Sequence, residues 1–452
     1  MEPSKFNSLI EVDDQTWLAF NHTQGRLIRT SEPVFRYLRQ DPGAQLDEQT
    51  VARLRSRGFV VESRSKELDY VAHHLSNFRF GRPVVNVSVV LTYACNMRCP
   101  YCYETASHPP QTTLTPEMAR HLVADIKRRV DEVGARGVAL TLYGGEPFVN
   151  LKVARQLVED LRVYTTAQRI ELETIIISNG TLITEEAIAD LRYGLKFVQL
   201  TLEGSPQYHD QVRVGPDNTK GTFYRILESA KMLLKAGIGV QWRIQISPAD
   251  WRSIGDCFEA LSAAGVLRHP NVRLYFFPIL DIQSVCSAKS FACYEEYFSP
   301  DMLEHFWKIA TAYQTNLFRL PKPVWESPYC SFVNMNTWVV DPSGRKFKCV
   351  AEIGHDDAVC GTIGEPLPGP ERTRARSREL RVINRTAMDY AECRDCEYMP
   401  SCDSGCGFRA AAIKGTWDTN SCEMHKGVVP HQIAYYYKYL QQAGEASRIE
   451  VV

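Results

Sequence analysis

At 452 residues the chain is too long to fill one hydrophobic core and is expected to hold two or three domains. Its 52 basic and 53 acidic residues nearly cancel, and no block of like charge marks a nucleic-acid tract or a membrane-surface patch. The first residues are polar, with Glu2, Glu11, Asp13 and Asp14, and no apolar run nears the ~18 residues that span a bilayer. Neither a signal peptide nor a membrane span is therefore expected, and the 14 cysteines are assigned to a reducing cytoplasm, where clustered spacing means metal rather than disulfides.

Residues 1 to about 80 read as a small unit of their own. Residues 17–20 and 26–29 alternate like strands, with Gln24-Gly25 as the hairpin turn. Ser31 can cap a short helix with Pro33 in its first turn and Val34, Tyr37 and Leu38 on its apolar face. A second helix runs from about Asp47 to Gly58, and Phe59-Val60-Val61 follow as a strand. This is the plan of a winged helix, and an extension capping the next domain fits the same pattern. The helices are not basic enough for a DNA reader.

From Val84 strands and helices alternate, which predicts a parallel sheet with crossover helices. The strands fall near 84–91, 138–143, 172–177, 197–202, 240–246 and 272–276. Helices start near Pro116, Val153, Thr184, Thr222, Asp250 and Leu303. Six such units form an open barrel; a closed eight-unit barrel with two units unseen is the other count.

The first strand of this series ends in Cys95-Asn96-Met97-Arg98-Cys99-Pro100-Tyr101-Cys102. The carboxyl ends of parallel strands are where α/β proteins bind ligands. Three close thiols without a nearby fourth suit an iron–sulfur cluster with one open iron better than a closed zinc site, and inert buried cysteines are the bland reading. The next strand ends in Gly144-Gly145-Glu146-Pro147, whose glycines allow close backbone approach. The third ends in Ser178-Asn179, and the fourth in Glu203-Gly204 followed by His209-Asp210-x-x-Arg213. Arg213 could pair bidentately with a carboxylate or stand in solvent as an ordinary surface arginine; Arg243 is a weaker candidate for the same pocket.

The C-x3-C-x2-C loop with its aromatic Tyr101 and the Gly-Gly-Glu-Pro turn resemble radical S-adenosylmethionine (SAM) enzymes. The last third strengthens the resemblance. Cys330, Gly344-x4-Cys349, Cys393-x2-Cys396-x5-Cys402-x3-Cys406 and Cys422 resemble the SPASM domain of peptide maturases, although C-x2-C-x5-C-x3-C alone would also fit zinc. The N-terminal unit resembles the peptide-recognition element that precedes many such enzymes. The resemblance implies an α/β fold: a partial (β/α)6 barrel over 81–325, a winged-helix-like module over 1–80 and a cysteine-rich iron–sulfur domain over 326–452.

It also implies cofactors and ligands. Cys95, Cys99 and Cys102 would hold a [4Fe–4S] cluster whose open iron chelates SAM. Gly144, Gly145, Glu146, Pro147, Ser178, Asn179, Glu203 and Arg213 would contact SAM, Glu203 standing where relatives usually carry Asp. Cys330, Cys349 and Cys406 would hold a proximal auxiliary cluster, and Cys393, Cys396, Cys402 and Cys422 a distal one. Some relatives have a further proximal cysteine where this chain has Asn336; an open iron, a non-cysteine ligand or Cys360 could take that place. Cys257, Cys286, Cys293 and Cys360 otherwise read as buried or incidental thiols. The implied chemistry is reductive cleavage of SAM to a 5′-deoxyadenosyl radical that takes hydrogen from an unactivated carbon, with the auxiliary clusters accepting an electron.

Sulfatase-maturing relatives carry an Asp after the cysteine matching Cys349, and Val350 stands there instead. The expected function is therefore crosslinking of a leader-bearing precursor peptide, by a thioether, carbon–carbon or carbon–oxygen bond. A flavodoxin- or ferredoxin-type protein would donate electrons. Residue oxidation, decarboxylation or epimerisation without a crosslink is the alternative within enzymes. A non-catalytic iron–sulfur or zinc-binding protein is the alternative outside them.

Overall fold

The computed structural model describes residues 1–81, 83–104, 112–215, 220–281, 291–294, 298–315, 320–326, 330–422 and 426–452. Four early strands, β1 (Glu2–Pro3), β2 (Asn7–Asp13), β3 (Thr16–Asn21) and β4 (Arg26–Thr30), precede three helices, α1 (Glu32–Leu38), α2 (Glu48–Ser56) and α3 (Arg64–Phe80). Strand β5 (Val60–Val61) lies between α2 and α3 and pairs with β1. The expected hairpin is present, with Gly25 at φ +61° in its turn. Strand β2, which the sequence reading did not separate, pairs with β3 along its length. Asp47 caps α2 by accepting from the Thr50 amide at 2.8 Å.

The large sheet has the order β11-β10-β9-β8-β7-β6-β12-β13-β14. Its parallel strands are β6 (Val84–Val90), β7 (Gly137–Tyr143), β8 (Glu171–Ser178), β9 (Leu195–Glu203), β10 (Gly239–Ile246) and β11 (Val272–Pro278). The crossovers carry α4 (Pro116–Val133), α5 (Leu151–Gln168), α6 (Glu185–Leu191), α7 (Pro206–Val212), α8 (Thr222–Lys235) and α9 (Ile254–Ala263), and α10 (Pro300–Ala312) follows β11. Buried aliphatic side chains of β6, β7, β9 and β10 pack against Leu122, Ile126, Leu157, Leu161, Ile226 and Leu233 of the helices to form one core. The six-unit count holds. The barrel is not closed by further units, because β12 (Thr337–Val340) runs parallel to β6 on its free side, and β13 (Arg345–Phe347) and β14 (Gly361–Thr362) extend it antiparallel.

The remaining helices are α11 (Gly369–Asn384), α12 (Gly407–Lys414) and α13 (Val429–Gln442), with one-turn helices at Ala391–Arg394 and Met399–Cys402. The aromatic-rich α13 packs as expected: Ile433, Tyr437 and Leu440 meet Ile10, Leu18 and Phe20 of the first sheet, and Tyr435 meets Trp307 at 4.7 Å. Strand β15 (Glu450–Val451) joins that same sheet beside β4. No helix among the described residues is long and apolar enough to cross a membrane.

Candidate functional site

Strand β6 buries Val85, Val87, Val89 and Val90 and delivers the cysteine loop to its carboxyl end. There Cys95, Cys99 and Cys102 are brought within electrostatic reach of one another. Burial pushes the Cys95 thiol up to about 12 and the Cys99 thiol to about 11. Left bare, both would keep their protons at neutral pH; a bound cation is what makes such thiols ligands.

The Gly-Gly-Glu-Pro turn grips this loop. The Gly145 amide donates to the Thr92 carbonyl at 2.8 Å, and the Glu146 amide to that of Ala94 at 3.0 Å. A Cβ on Gly144 would lie 2.4 Å from the Thr92 carbonyl oxygen, and one on Gly145 would lie 2.4 Å from that of Ala94. Close approach is indeed the reason for the glycines, but what they approach is the backbone of the cysteine loop.

Glu146, fully buried, accepts from Ser178 Oγ at 2.9 Å, the Asn179 amide at 2.7 Å and the Phe148 amide at 3.1 Å. Burial nevertheless pushes its carboxyl up to about 7. Pro147 follows in a short 3₁₀ turn. Asn179 Nδ2 donates to Asn96 Oδ1 at 2.8 Å and lies 3.8 Å from Cys95 Sγ. Thus Glu146, Ser178 and Asn179 form one network that ends on the cysteine loop.

The surface reading of Arg213 fails, since the residue is only 6 % exposed. Its Nη1 lies 2.8 Å from Tyr101 Oη and 3.4 Å from Glu203 Oε1, and Tyr101 also donates to Glu203. The Glu203 amide donates to His209 Nδ1 at 3.1 Å, leaving His209 Nε2 to donate to Thr222 Oγ1 at 3.1 Å; burial holds this imidazole well below its usual range, so it stays neutral. Among the described residues two buried atoms of the group have no partner: Arg213 Nε and Glu203 Oε2. Arg243 Nε is a third, with its guanidinium 4.2 Å from the centre of the Phe277 ring.

Sequence reasoning missed three neighbours. Glu104 is 3 % exposed, and burial, opposed by the Tyr143 and Tyr103 side chains, pushes it up to about 7. Tyr103 and Tyr143 stand beside it, their hydroxyls 2.6 Å apart. A charged residue two places beyond the last cysteine of the loop was the available signal.

The second cysteine group is gathered by a tight turn. Asp403, Ser404 and Gly405 are all left-handed, at φ +44°, +65° and +73°. A Cβ on Gly405 would lie 1.8 Å from the Ser421 carbonyl oxygen, so only glycine fits. The Ser421 amide donates to the Ser404 carbonyl at 2.9 Å, which sets Cys422 beside Cys402. Arg385 holds the turn from below, its Nη1 on the Gly405 carbonyl at 2.8 Å and its Nη2 on that of Ser404 at 2.9 Å. Cys393, Cys396, Cys402 and Cys422 then line one pocket, together with Tyr398, Met399 and Lys426.

Cys330, Cys349 and Cys406 form a third group, within electrostatic reach of one another. Asn336 Oδ1 is held by Arg129 at 2.6 and 2.9 Å. Cys360 donates to the Ala358 carbonyl and has Glu379, Lys348, Arg378 and Glu352 as its charged neighbours. Cys257 is buried, as expected. Cys293 is disulfide-bonded, which overturns the all-thiol expectation at that position: two sulfurs that the fold brings together can oxidise. Cys286 lies outside the described residues. Among the described residues no three His, Cys, Asp or Glu side chains are drawn together as a site for a single metal ion.

Residues 89–246 match the Radical SAM superfamily. The radical SAM cyclopropyl synthase TigE of Paramaledivibacter caminithermalis is 20 % identical over 230 residues, 47 % of each chain. The cysteine-type anaerobic sulfatase-maturating enzyme of Clostridium novyi is 28 % identical over 362 residues, 75 % of this chain and 92 % of that one. SuiB of Streptococcus suis, solved bound to precursor peptide SuiA, superposes with a TM-score of 0.50 at 14 % identity over 93 % of this chain and 98 % of that one. The curated relatives that match first are covered over about half of their length.

Proposed function

We propose that this chain, whose residues 89–246 are a radical SAM domain, is a peptide maturase that installs a crosslink in a ribosomally made precursor peptide. The observation that carries the reading is the convergence of the thiols into three groups. The first group adjoins a buried Arg213–Glu203 pair that keeps two polar atoms without protein partners. Cys95, Cys99 and Cys102 would hold the SAM-binding cluster, Cys330, Cys349 and Cys406 the proximal auxiliary cluster, and Cys393, Cys396, Cys402 and Cys422 the distal one. The four thiols lining one pocket suit a multi-iron group, and the partnerless Arg213 Nε and Glu203 Oε2 suit a zwitterionic ligand. When bound, these groups supply one-electron chemistry: removal of hydrogen from an unactivated carbon, and a sink for the electron released when the new bond closes.

The chain's own residues bind and orient. Arg213 offers Nε–H to a carboxylate, and Glu203 Oε2 accepts from an amino or hydroxyl group. Glu146, Ser178 and Asn179 fix the cysteine loop in place, so the SAM-facing residues are those of the Arg213 group. Fixing Asn336 on Arg129 leaves the proximal group three thiols, with a place for a substrate thiolate; that favours a thioether among the possible bonds. The sulfatase-maturase likeness over 92 % of that relative favours a second reading, oxidation of a residue without a crosslink, but Val350 follows Cys349 where the base would stand. An external flavodoxin- or ferredoxin-type donor completes the electron balance.

The test is made on anaerobically reconstituted protein. About twelve irons per chain, as three four-iron clusters require, with 5′-deoxyadenosine formed from SAM and a reductant, is the expected result. Zinc in place of iron, with no cleavage, would discard the reading and leave a cysteine-stapled binding protein.

A further inference from the structure

The inner face of the barrel holds a guanidinium for which the SAM-facing group has no task. On β10, Trp242, Ile244 and Ile246 enter the core shared with the helices, so Arg243 and Gln245 turn inward. Parallel pairing sets Arg243 level with Thr201 of β9 and Tyr275 of β11, and Gln245 level with Glu203 and Phe277. Arg243 climbs one level along the barrel, its guanidinium lying 4.2 Å from the centre of the Phe277 ring. It therefore stands at the height of Glu203, toward the carboxyl ends of the strands where ligands bind.

Among the described residues the buried Arg243 Nε has no hydrogen-bond partner. Buried donors are nearly always bonded, so an unbonded one needs a reason. The neighbours that could have served are engaged elsewhere. Glu203 feels the Arg243 charge but gives Oε1 to Arg213 and Tyr101. The Tyr275 hydroxyl, within reach of the same charge, donates to Gln199 Oε1 at 2.9 Å. The two arginines also face different groups. Arg213 acts on Cys99 of the cysteine loop, whereas Arg243 acts on Tyr103, Tyr275 and Glu203. One guanidinium suffices for the carboxylate of SAM, which leaves the second for another anion. Stacking on an aromatic ring uses the face of a guanidinium and leaves its edge, with the N–H fork, open to a carboxylate in the same plane.

We propose that Arg243, stacked on Phe277 and flanked by Gln245, is a second anion site inside the barrel and takes a carboxylate of the peptide substrate. The inference rests on the peptide-maturase reading only in naming the carrier of that carboxylate. The reacting residue then lies close to an aspartate or glutamate side chain, or to the carboxyl end of the peptide. A carboxylate held here orients the substrate against the cysteine loop, and an amide in its place leaves the guanidinium unpaired, so the site selects as well as binds.

Three small probes separate the possible anions: N-acetyl-glutamate amide has a side-chain carboxylate, N-acetyl-glutamine a terminal one, and N-acetyl-glutamine amide neither. Each is titrated by calorimetry into the reconstituted full chain, without reductant and with excess SAM to fill the Arg213 group. Binding of one carboxylate probe about tenfold or more tighter than the uncharged probe is expected, and the tighter of the two identifies the source of the anion. Arg243→Met should bring all three probes within about twofold of one another. Its urea midpoint should be no lower than that of the unsubstituted chain, because no protein group loses a hydrogen bond. Equal binding of the three probes by the unsubstituted chain, binding of none, or a preference that survives Arg243→Met would overturn the proposal. Should Arg243→Met fail to fold, Arg243→Lys keeps the charge without the planar fork; a preference reduced about threefold or more is then expected, and an unchanged one would overturn the proposal. None of these readouts involves SAM cleavage. A preference shown by a chain that cleaves no SAM would keep the anion site and sink the maturase reading, and cleavage without a preference would do the reverse.

Discussion

Arg79→Met probes how the cysteine-rich region is held to the rest of the chain. Arg79, the penultimate residue of α3, is 3 % exposed. Its Nη2 pairs with Asp403 Oδ2 and donates to the Arg385 carbonyl at 2.8 Å, while Nη1 donates to the Leu75 carbonyl at 2.8 Å. Asp403 is itself 5 % exposed and follows the ligand candidate Cys402. Methionine fills much of the same volume but leaves a carboxylate buried without its cation. Breaking one side of a buried pair costs about 3–5 kcal/mol, most of it the desolvated charge left behind. The Arg79→Met, Asp403→Asn double variant should recover about 2 kcal/mol of that, because no charge remains. Urea unfolding of the iron-free chain, followed by circular dichroism, gives the stabilities. Iron per chain after reconstitution reports whether the turn still presents Cys402 and Cys406. Losses under about 1 kcal/mol in both single variants, strictly additive in the double, would refute the reasoning.

Other outcomes are expected with equal definition. Replacing Cys95, Cys99 and Cys102 together by Ala should abolish 5′-deoxyadenosine formation while leaving roughly two thirds of the iron, the share of two clusters among three. Gly145→Ala forces a Cβ to within 2.4 Å of the Ala94 carbonyl oxygen, so the cysteine loop must shift; SAM-cluster iron should fall while distal iron stays, as read by Mössbauer or paramagnetic resonance spectra. Cys360 shares Lys348 with Cys330 and Glu352 with Cys349; if Cys330, Cys349 and Cys406 hold the proximal cluster alone, Cys360→Ala should leave iron per chain unchanged, and a loss of iron would make Cys360 the fourth ligand. Glu146, pushed up to about 7 by burial, takes up a proton on folding, so stability should fall as pH rises from about 4.5 to 7 and stay low above it. Linkage puts its share at about 3 kcal/mol, and the urea midpoint of Glu146→Gln should be correspondingly flatter over that window.

The barrel was legible because its strands are continuous aliphatic runs and its helices begin at clear caps. Thr115, Thr184 and Ser299 each accept from the third residue beyond, as such caps do. The cysteine groups were legible as spacing. What spacing could not show is which neighbour a polar strand-end residue turns toward. Glu146, Ser178 and Asn179 were expected to face SAM; each spends its hydrogen bonds on the others and on the loop. Strand β2 was hidden by its mixed pattern, since Asn7 and Ser8 are buried polar residues satisfied by other parts of the chain. The Arg213–Glu203–Tyr101 group was half visible: the arginine stood out, and its partners came from a strand end 10 residues earlier and from inside the cysteine loop.

The contacts of the first 80 residues bear on how peptide recognition can be tested. Deletion of a reader module is the usual experiment, and it presumes that the rest of the chain does not need it. Here Arg79 reaches Asp403 beside a ligand candidate, α13 packs on β2 and β3, and residues 449–452 complete the first sheet. Cutting at residue 80 would strip an ion pair from the turn that carries Cys402 and uncover the apolar face of α13. A fall in both cluster content and SAM cleavage would follow whether or not the module reads a peptide. Recognition has to be separated from support by substitutions that leave these contacts in place, so that altered peptide affinity with unchanged iron content can be assigned to binding alone.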